Sequence, residues 1–354
     1  MTETADGGLT RRSFLGAMAV LALAPPGLSR AAGAPALPVR GLSHVALAVS
    51  DPERSLAFYQ GLFGMPVQAR RGLNPCLRVG AGPHFLELAG TEAGAASEIA
   101  RLGLAVEGFD AARTLNALER HGVAAEDPAE IGGGLAAGPL RARSWVRGGS
   151  LGGAVEGTQE LFLGDPDGIV VQLQDGAYCG GAGVLGDVCP QPEPAPADGL
   201  FRLWGINHCT VFVADAERSL DFYQRVFGLP VTKTQGSMPL LDVGSDGQIL
   251  GFVSVPGSAA PARIHHVCLT IDGFQHERVL EVLAGYGVTP REDPGGGPIE
   301  PLSAYVTLRM PDRGGALEGT PELYFTDPDG LLIQLQDPRY CGGSGYLGEV
   351  CAFL

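Results

Sequence analysis

Lysine is almost absent: Lys233 is the only one in 354 residues, and arginine carries nearly all the positive charge. Basic side chains are scarce altogether, 24 Lys and Arg against 39 Asp and Glu, for a formal charge of -15. A chain this acidic, with no visible basic patch, is a poor match for nucleic acid or an anionic membrane surface. Aromatic residues make up only 7%. Beyond Ala36 no apolar run approaches the roughly 20 residues that span a bilayer, so no membrane insertion is expected once the leading segment is removed. Small molecules remain as ligands, and the sequence says nothing about oligomeric state.

Glycine and aliphatic residues are plentiful, and the chain is long enough for two domains of about 150 residues. The pattern is duplicated. Glu322 to Cys351, ELYFTDPDGLLIQLQDPRYCGGSGYLGEVC, nearly repeats Glu160 to Cys189. In both copies Asp-Pro-Asp-Gly is turn chemistry: Pro presets φ, the aspartates cap their own backbone and Gly takes the left-handed position. After the turn Leu331, Ile333 and Leu335 alternate with Leu332, Gln334 and Gln336, which predicts a strand with two amides on one face. Ile169, Val171 and Leu173 do the same opposite Val170, Gln172 and Gln174.

The beginnings of the halves match too. Gly41 to Val67 and Gly205 to Val231 each read as a half-buried strand with a histidine, His44 or His208, followed by an Asp-capped helix. Short strands are expected around Val67, Leu77 and Phe85 to Leu88, and the cycle restarts at Arg101 and at His265, for four β-α-β-β-β units. Gly132 to Gly157 reads as a glycine-rich loop around a strand near Leu140 to Arg147. The Pro-rich stretch 190–200 reads as a stiff linker between domains at 41–189 and 201–354.

At the N-terminus Thr10-Arg11-Arg12-Ser13-Phe14-Leu15, followed by the short apolar run Leu15 to Ala24, resembles a twin-arginine export signal occupying 1–36. That implies a periplasmic or extracellular location. In an exported protein the matching YCGGxGxLGxVC loops predict disulfides Cys179–Cys189 and Cys341–Cys351, with Cys76, Cys209 and Cys268 left as thiols.

Three motifs carry a family resemblance: the strand histidine seven residues before an Asp-led helix, SLxFYxxxFGxPV, and DPDGxxxQ. With these the chain resembles, from Gly41 to Asp337, the vicinal oxygen chelate superfamily of glyoxalases, bleomycin-resistance proteins and extradiol dioxygenases. The resemblance implies an α+β fold of two tandem domains, each with two β-α-β-β-β units forming a cup-shaped sheet whose concave face holds metal ligands. In the first domain the ligand positions hold His44, Glu87, Arg101 and Gln172, and the arginine would repel a cation. In the second they hold His208, Gly251, His266 and Gln334. Strand parity places Asn207 and His265 on the opposite, helix-facing side.

By resemblance to extradiol dioxygenases, His208, His266 and Gln334 are the expected metal ligands, for Fe(II) by preference or Mn(II), with a small phenolic or oxygen-rich substrate. The first domain is then scaffold. Gln334 departs from the usual glutamate and removes one negative charge. Tyr324 is placed to hydrogen-bond a bound oxygen ligand, and Arg309 to pair with an acidic substrate or form a structural ion pair; Cys268 shares the cup-facing parity and reads as a buried small hydrophobe ahead of a further soft ligand. Two other readings stay open: a metal-free binding protein of the bleomycin-resistance type, and a glyoxalase-like lyase or isomerase, which needs a carboxylate that the ligand positions lack.

Overall fold

Alternating strand patterns and Asp-capped helices assemble, in the computed structural model, into two sheets of nine strands each. Residues 37–126, 138–244, 247–254, 260–295 and 299–352 are described. The expected export signal and residues 132–137 of the glycine-rich segment lie outside them. Among the described residues no helix is long and apolar enough to cross a membrane.

The first half runs β1 (Val39–Val49), α1 (Pro52–Phe63), β2 (Val67–Arg71), β3 (Asn74–Arg78), β4 (Phe85–Gly90), β5 (Glu98–Val106), α2 (Ala111–Glu119), β6 (Ala124–Ala125), β7 (Arg141–Arg147), β8 (Thr158–Gly164) and β9 (Val170–Asp175). The second repeats it as β10 (Leu203–Val213), α3 (Ala216–Phe227), β11 (Val231–Gln235), β12 (Met238–Val243), β13 (Gln248–Ser254), β14 (Arg263–Ile271), α4 (His276–Gly285), β15 (Thr289–Pro290), β16 (Ser303–Arg309), β17 (Thr320–Thr326) and β18 (Leu332–Gln336). Strand order is β2-β3-β4-β1-β5-β9-β8-β7-β6 and β11-β12-β13-β10-β14-β18-β17-β16-β15. Each second unit carries one more strand than the β-α-β-β-β reading, a two-residue piece after its helix.

Local chemistry sets the helix ends. Asp51 caps α1 by accepting from the Glu53 and Arg54 amides, and Asp215 caps α3 by accepting from Arg218. Gly64 and Gly228 close the same helices at φ 63° and 67°, a conformation that disfavours any residue with a Cβ. Both disulfides form, Cys179–Cys189 and Cys341–Cys351, and Cys76, Cys209 and Cys268 are buried thiols. Loops this short contribute about 2–3 kcal/mol each by restricting the unfolded chain.

The halves share one apolar core: Phe58 and Phe63 of α1 pack on Phe325 of β17, and Phe58 also meets Tyr286 after α4. The Pro-rich connection lies on the first sheet, where Glu193 bridges to Val67 and its carboxylate pairs with Arg70 at 2.7 Å. A second cross-link uses the repeated turns. Tyr59 of α1 donates to Asp327 at 3.1 Å, and Tyr223 of α3 donates to Asp165 at 3.3 Å. Asp329 accepts from Ser50, Ser55 and Ser97, and Asp167 from Ala214, Arg218 and Ser219. Each half's turn therefore grips the other half's helix.

Burial pushes the Asp165 and Asp327 carboxyls up to about 6. The folded value then exceeds the unfolded one of about 3.9, so their stabilisation is fully present below that pH and is lost as pH rises through about 6. We expect urea-unfolding stability, measured from about pH 4 to about pH 7, to fall by on the order of 2 kcal/mol per carboxyl relative to an Asp165→Asn, Asp327→Asn variant. Parallel pH profiles for the two proteins would dismiss the assignment.

Candidate functional site

Both cups are lined by the polar faces of corresponding strands, but their contents differ. In the first, Arg71 donates to Glu87 at 2.6 Å and to Glu160 at 2.7 Å, and Arg147 donates to Glu160 at 2.8 Å. Arg101 pairs with Glu87 and donates through Nε to Gln172 Oε1 at 2.9 Å. All five charged side chains are at most 5% exposed. Burial alone would raise the Glu87 pKa, yet Arg101 and Arg71 hold it at about 2. Three guanidinium groups thus face two carboxylates, a net positive interior that opposes a cation. His44 lies inside this network, stacked on Phe85 at 4.6 Å and pushed down to about 3 by burial and by Arg101 and Arg71. Its ring crosses Gly103, where a Cβ would come within 2.2 Å of it. Arg71, Arg147 and Glu160 went unread in the sequence; aligning the repeats shows Arg147 with Arg309 and Glu160 with Glu322, the signal that would have found the pairs.

The second cup loses most of these charges. Gln235 stands for Arg71, Gly251 for Glu87 and His266 for Arg101, while Arg309 and Glu322 remain paired at 2.8 Å. Cys268 takes the place of Gly103 opposite the histidine, and the His208 ring stacks on Tyr340 at 5.6 Å. His208 Nε2 and His266 Nε2 face each other at 3.2 Å. Gln334, on the neighbouring β18, is 1% exposed, and neither its Oε1 nor its Nε2 has a hydrogen-bond partner. Its amide lies close enough to favour protonation of both rings slightly, without bonding geometry to either. Burial dominates: it pushes His208 down to about 4 and His266 well below its ordinary value, so both imidazoles are neutral near pH 7.

Two expectations of strand parity are corrected. Asn207 and His265 do not face the helices. The β10–β14 register slips between Ile206 and His208 and again between Thr210 and Val211, leaving Asn207 and His265 as the extra residues of bulges, which re-aim side chains. Asn207 Oδ1 meets His208 Nδ1 at 2.8 Å. His265 Nδ1 meets His266 Nδ1 at 2.9 Å, and its ring stacks on Phe212 at 4.1 Å.

Arg309 makes the structural ion pair, one of the two roles expected of it: fully buried, it donates to Glu322 and to the Gly343 carbonyl and so braces the wall. Tyr324 presents its ring edge to His266 at 5.3 Å, stacks on Tyr305, and its hydroxyl lies 3.4 Å from Glu322. Glu322 is a carboxylate within the cup that the ligand positions did not reveal, but Arg309, Tyr340 and Gln235 already occupy it.

The chemistry open to the second cup follows from this donor set. Two nitrogens about 2.1 Å from one ion at right angles lie about 3.0 Å apart, close to the observed separation. The unpartnered amide of Gln334 offers a third, neutral oxygen donor. Among the described residues no three His, Cys, Asp or Glu side chains form a metal cluster, so a cation here relies on that amide. The residues present fit a divalent ion held without a carboxylate. Beside His208 a narrow cleft is lined by Thr210, Gln235, Met238, Tyr340 and Gly342 among others.

Solved structures share the arrangement of strands. A crystal structure of catechol 2,3-dioxygenase matches at 16% identity over 87% of this chain and 89% of that one, TM-score 0.52. The Mn(II)-bound glyoxalase from Novosphingobium aromaticivorans matches at 17% over 84% and 82%, TM-score 0.54. The 2,2',3-trihydroxybiphenyl 1,2-dioxygenase from dibenzofuran-degrading Sphingomonas wittichii strain RW1 matches at 15% over 89% and 92%, TM-score 0.53. At these identities the likeness is one of fold. The sequence itself matches a family description at residues 41–135 and 205–335, once in each half and around both strand histidines, and the chain belongs to the Glyoxalase/Bleomycin resistance protein/Dioxygenase superfamily.

Proposed function

We propose that the second cup binds one divalent metal, Fe(II) by preference or Mn(II), through His208 Nε2, His266 Nε2 and Gln334 Oε1, and acts as a dioxygenase-like oxidoreductase on a small phenolic or oxygen-rich ligand. The observation that carries this is the pair of neutral imidazoles facing each other at 3.2 Å beside a buried amide with no partner. A bound divalent ion supplies Lewis-acid activation of an oxygen ligand. The chain's own groups orient and exclude. Tyr324, its hydroxyl pKa raised by burial and by Glu322, stays protonated beside His266, with its long 3.4 Å donation to Glu322 available to redirect toward a bound oxygen ligand. Arg309 neutralises Glu322 and holds the wall. The catechol 2,3-dioxygenase and the Mn(II)-bound glyoxalase that share the fold make metal chemistry the nearest analogy.

Export through a twin-arginine signal is part of the same reading. Thr10 to Leu15 and the two disulfides support it, since disulfides persist in oxidising compartments. Such export carries folded protein, so metal loading precedes exposure to zinc and copper outside, which bind such sites more tightly.

Anaerobic titration of the purified protein with Fe(II) or Mn(II) should show one tight equivalent per chain, reduced at least about 100-fold in His266→Ala, which lacks one of three ligands. A wild type indifferent to both ions would leave a metal-free binding protein as the better account.

A further inference from the structure

His44 and His208 hold the same position in the repeat, yet their surroundings call for opposite tautomers. In the first cup Gln172 Oε1 already accepts from Arg101 Nε at 2.9 Å and lies 3.4 Å from Arg71 Nη1, while Gln172 Nε2 lies 3.3 Å from the Tyr178 hydroxyl. The amide orientation is therefore set, and its oxygen meets His44 Nε2 at 3.1 Å. An amide oxygen only accepts, so His44 carries its proton on Nε2. Its Nδ1 is then bare and accepts from the Ser43 hydroxyl at 2.9 Å. Neither ring nitrogen keeps a free lone pair.

In the second cup Asn207 Nδ2 donates to the Tyr340 carbonyl at 3.0 Å, which turns Oδ1 toward His208 Nδ1 at 2.8 Å. That oxygen also only accepts, so His208 carries its proton on Nδ1 and leaves Nε2 bare, directed at His266. Ser43 and Asn207 are matching bulge residues, both left out of the strand register. A hydroxyl at this point can donate or accept and follows the rest of the network. The asparagine, clamped by a carbonyl, dictates.

We infer that Asn207 is a positioning residue that locks His208 in the tautomer able to ligate, and that the Ser43 and Gln172 pair locks His44 in the tautomer that cannot. The inference builds on the proposed metal site but concerns protons already placed in the metal-free chain. His265 complements it: its Nδ1 faces His266 Nδ1 and can serve as donor or acceptor according to which nitrogen His266 presents.

Long-range nitrogen–proton spectra of the imidazoles in the metal-free, full-length folded protein should show His208 protonated on Nδ1 and His44 on Nε2. Asn207→Leu should abolish the single His208 tautomer and weaken Mn(II) binding by about 10–100-fold, the usual effect of removing a ligand's hydrogen-bond partner. Asn207→Asp, which keeps an acceptor oxygen but loses the Nδ2 donor to the Tyr340 carbonyl, should recover the Nδ1-protonated tautomer and Mn(II) binding only in part. A wild-type His208 protonated on Nε2, or a tautomer unchanged in folded Asn207→Leu, overturns the inference. Failure of the wild type to bind Mn(II) would overturn the metal reading alone, and the wild-type spectrum still decides this one.

Discussion

Glu160→Gln should lower the unfolding free energy by about 3–5 kcal/mol, because it strips the shared partner from two buried guanidinium groups. Glu160 accepts from Arg71, Arg147 and the Tyr178 hydroxyl, at 2.7, 2.8 and 2.9 Å, and is 0% exposed. Without its charge, Glu87 alone faces three arginines. In a unit of this size the loss corresponds to a fall in melting temperature of roughly 4–8 °C. Glu322→Gln is the internal comparison: it leaves one guanidinium, Arg309, without its carboxylate instead of two, so its loss should be smaller. Thermal and urea unfolding of the two variants would check the order. A Glu160→Gln penalty below about 1 kcal/mol would mean that water reaches these arginines, as it does in exposed ion pairs.

Gln334→Glu should give effects of opposite sign with and without metal. With Mn(II) present, the carboxylate adds a negative charge against the ion at nearly unchanged size, and affinity should rise by roughly tenfold or more. Without metal, the same change buries a carboxylate beside neutral His208 and His266 with no cation to meet it, at a stability loss of about 1–3 kcal/mol or more. Calorimetric titration and melting curves with and without the ion separate the two terms. A variant weaker than wild type in both would mean that Gln334 serves as a hydrogen-bonding amide in a metal-free cup.

What could be read from the sequence was local or repeated. The alternation in Leu331 to Gln336, the Asp-Pro-Asp-Gly turns and the Gly64 and Gly228 helix ends need only neighbouring residues to be interpreted, and the structure has them where the patterns place them. Parity counting failed at Asn207 and His265 because it assumes an unbroken register, and one extra residue turns a side chain to the other face. The partners of Arg71 were hidden for another reason. Glu87 and Glu160 lie on separate strands, and no periodicity in β2 announces a buried guanidinium. The pairing of Tyr59 with Asp327 joins residues 268 positions apart, so the SLxFY and DPDG motifs read as family marks when they are partners.

Those crossed tyrosine–aspartate bonds assign the first half a duty that survives any loss of chemistry. Asp327 opens the turn that leads into β18 and Gln334, and the hydroxyl holding it comes from α1 of the other half. The first cup could therefore exchange its ligand positions for an arginine cluster without penalty to the second, so long as Tyr59, Ser50 and Ser55 kept their grip. Its helix could not be surrendered in the same way. Division of labour in this molecule runs between the faces of each sheet, the inner one free to diverge and the outer one bound to its neighbour.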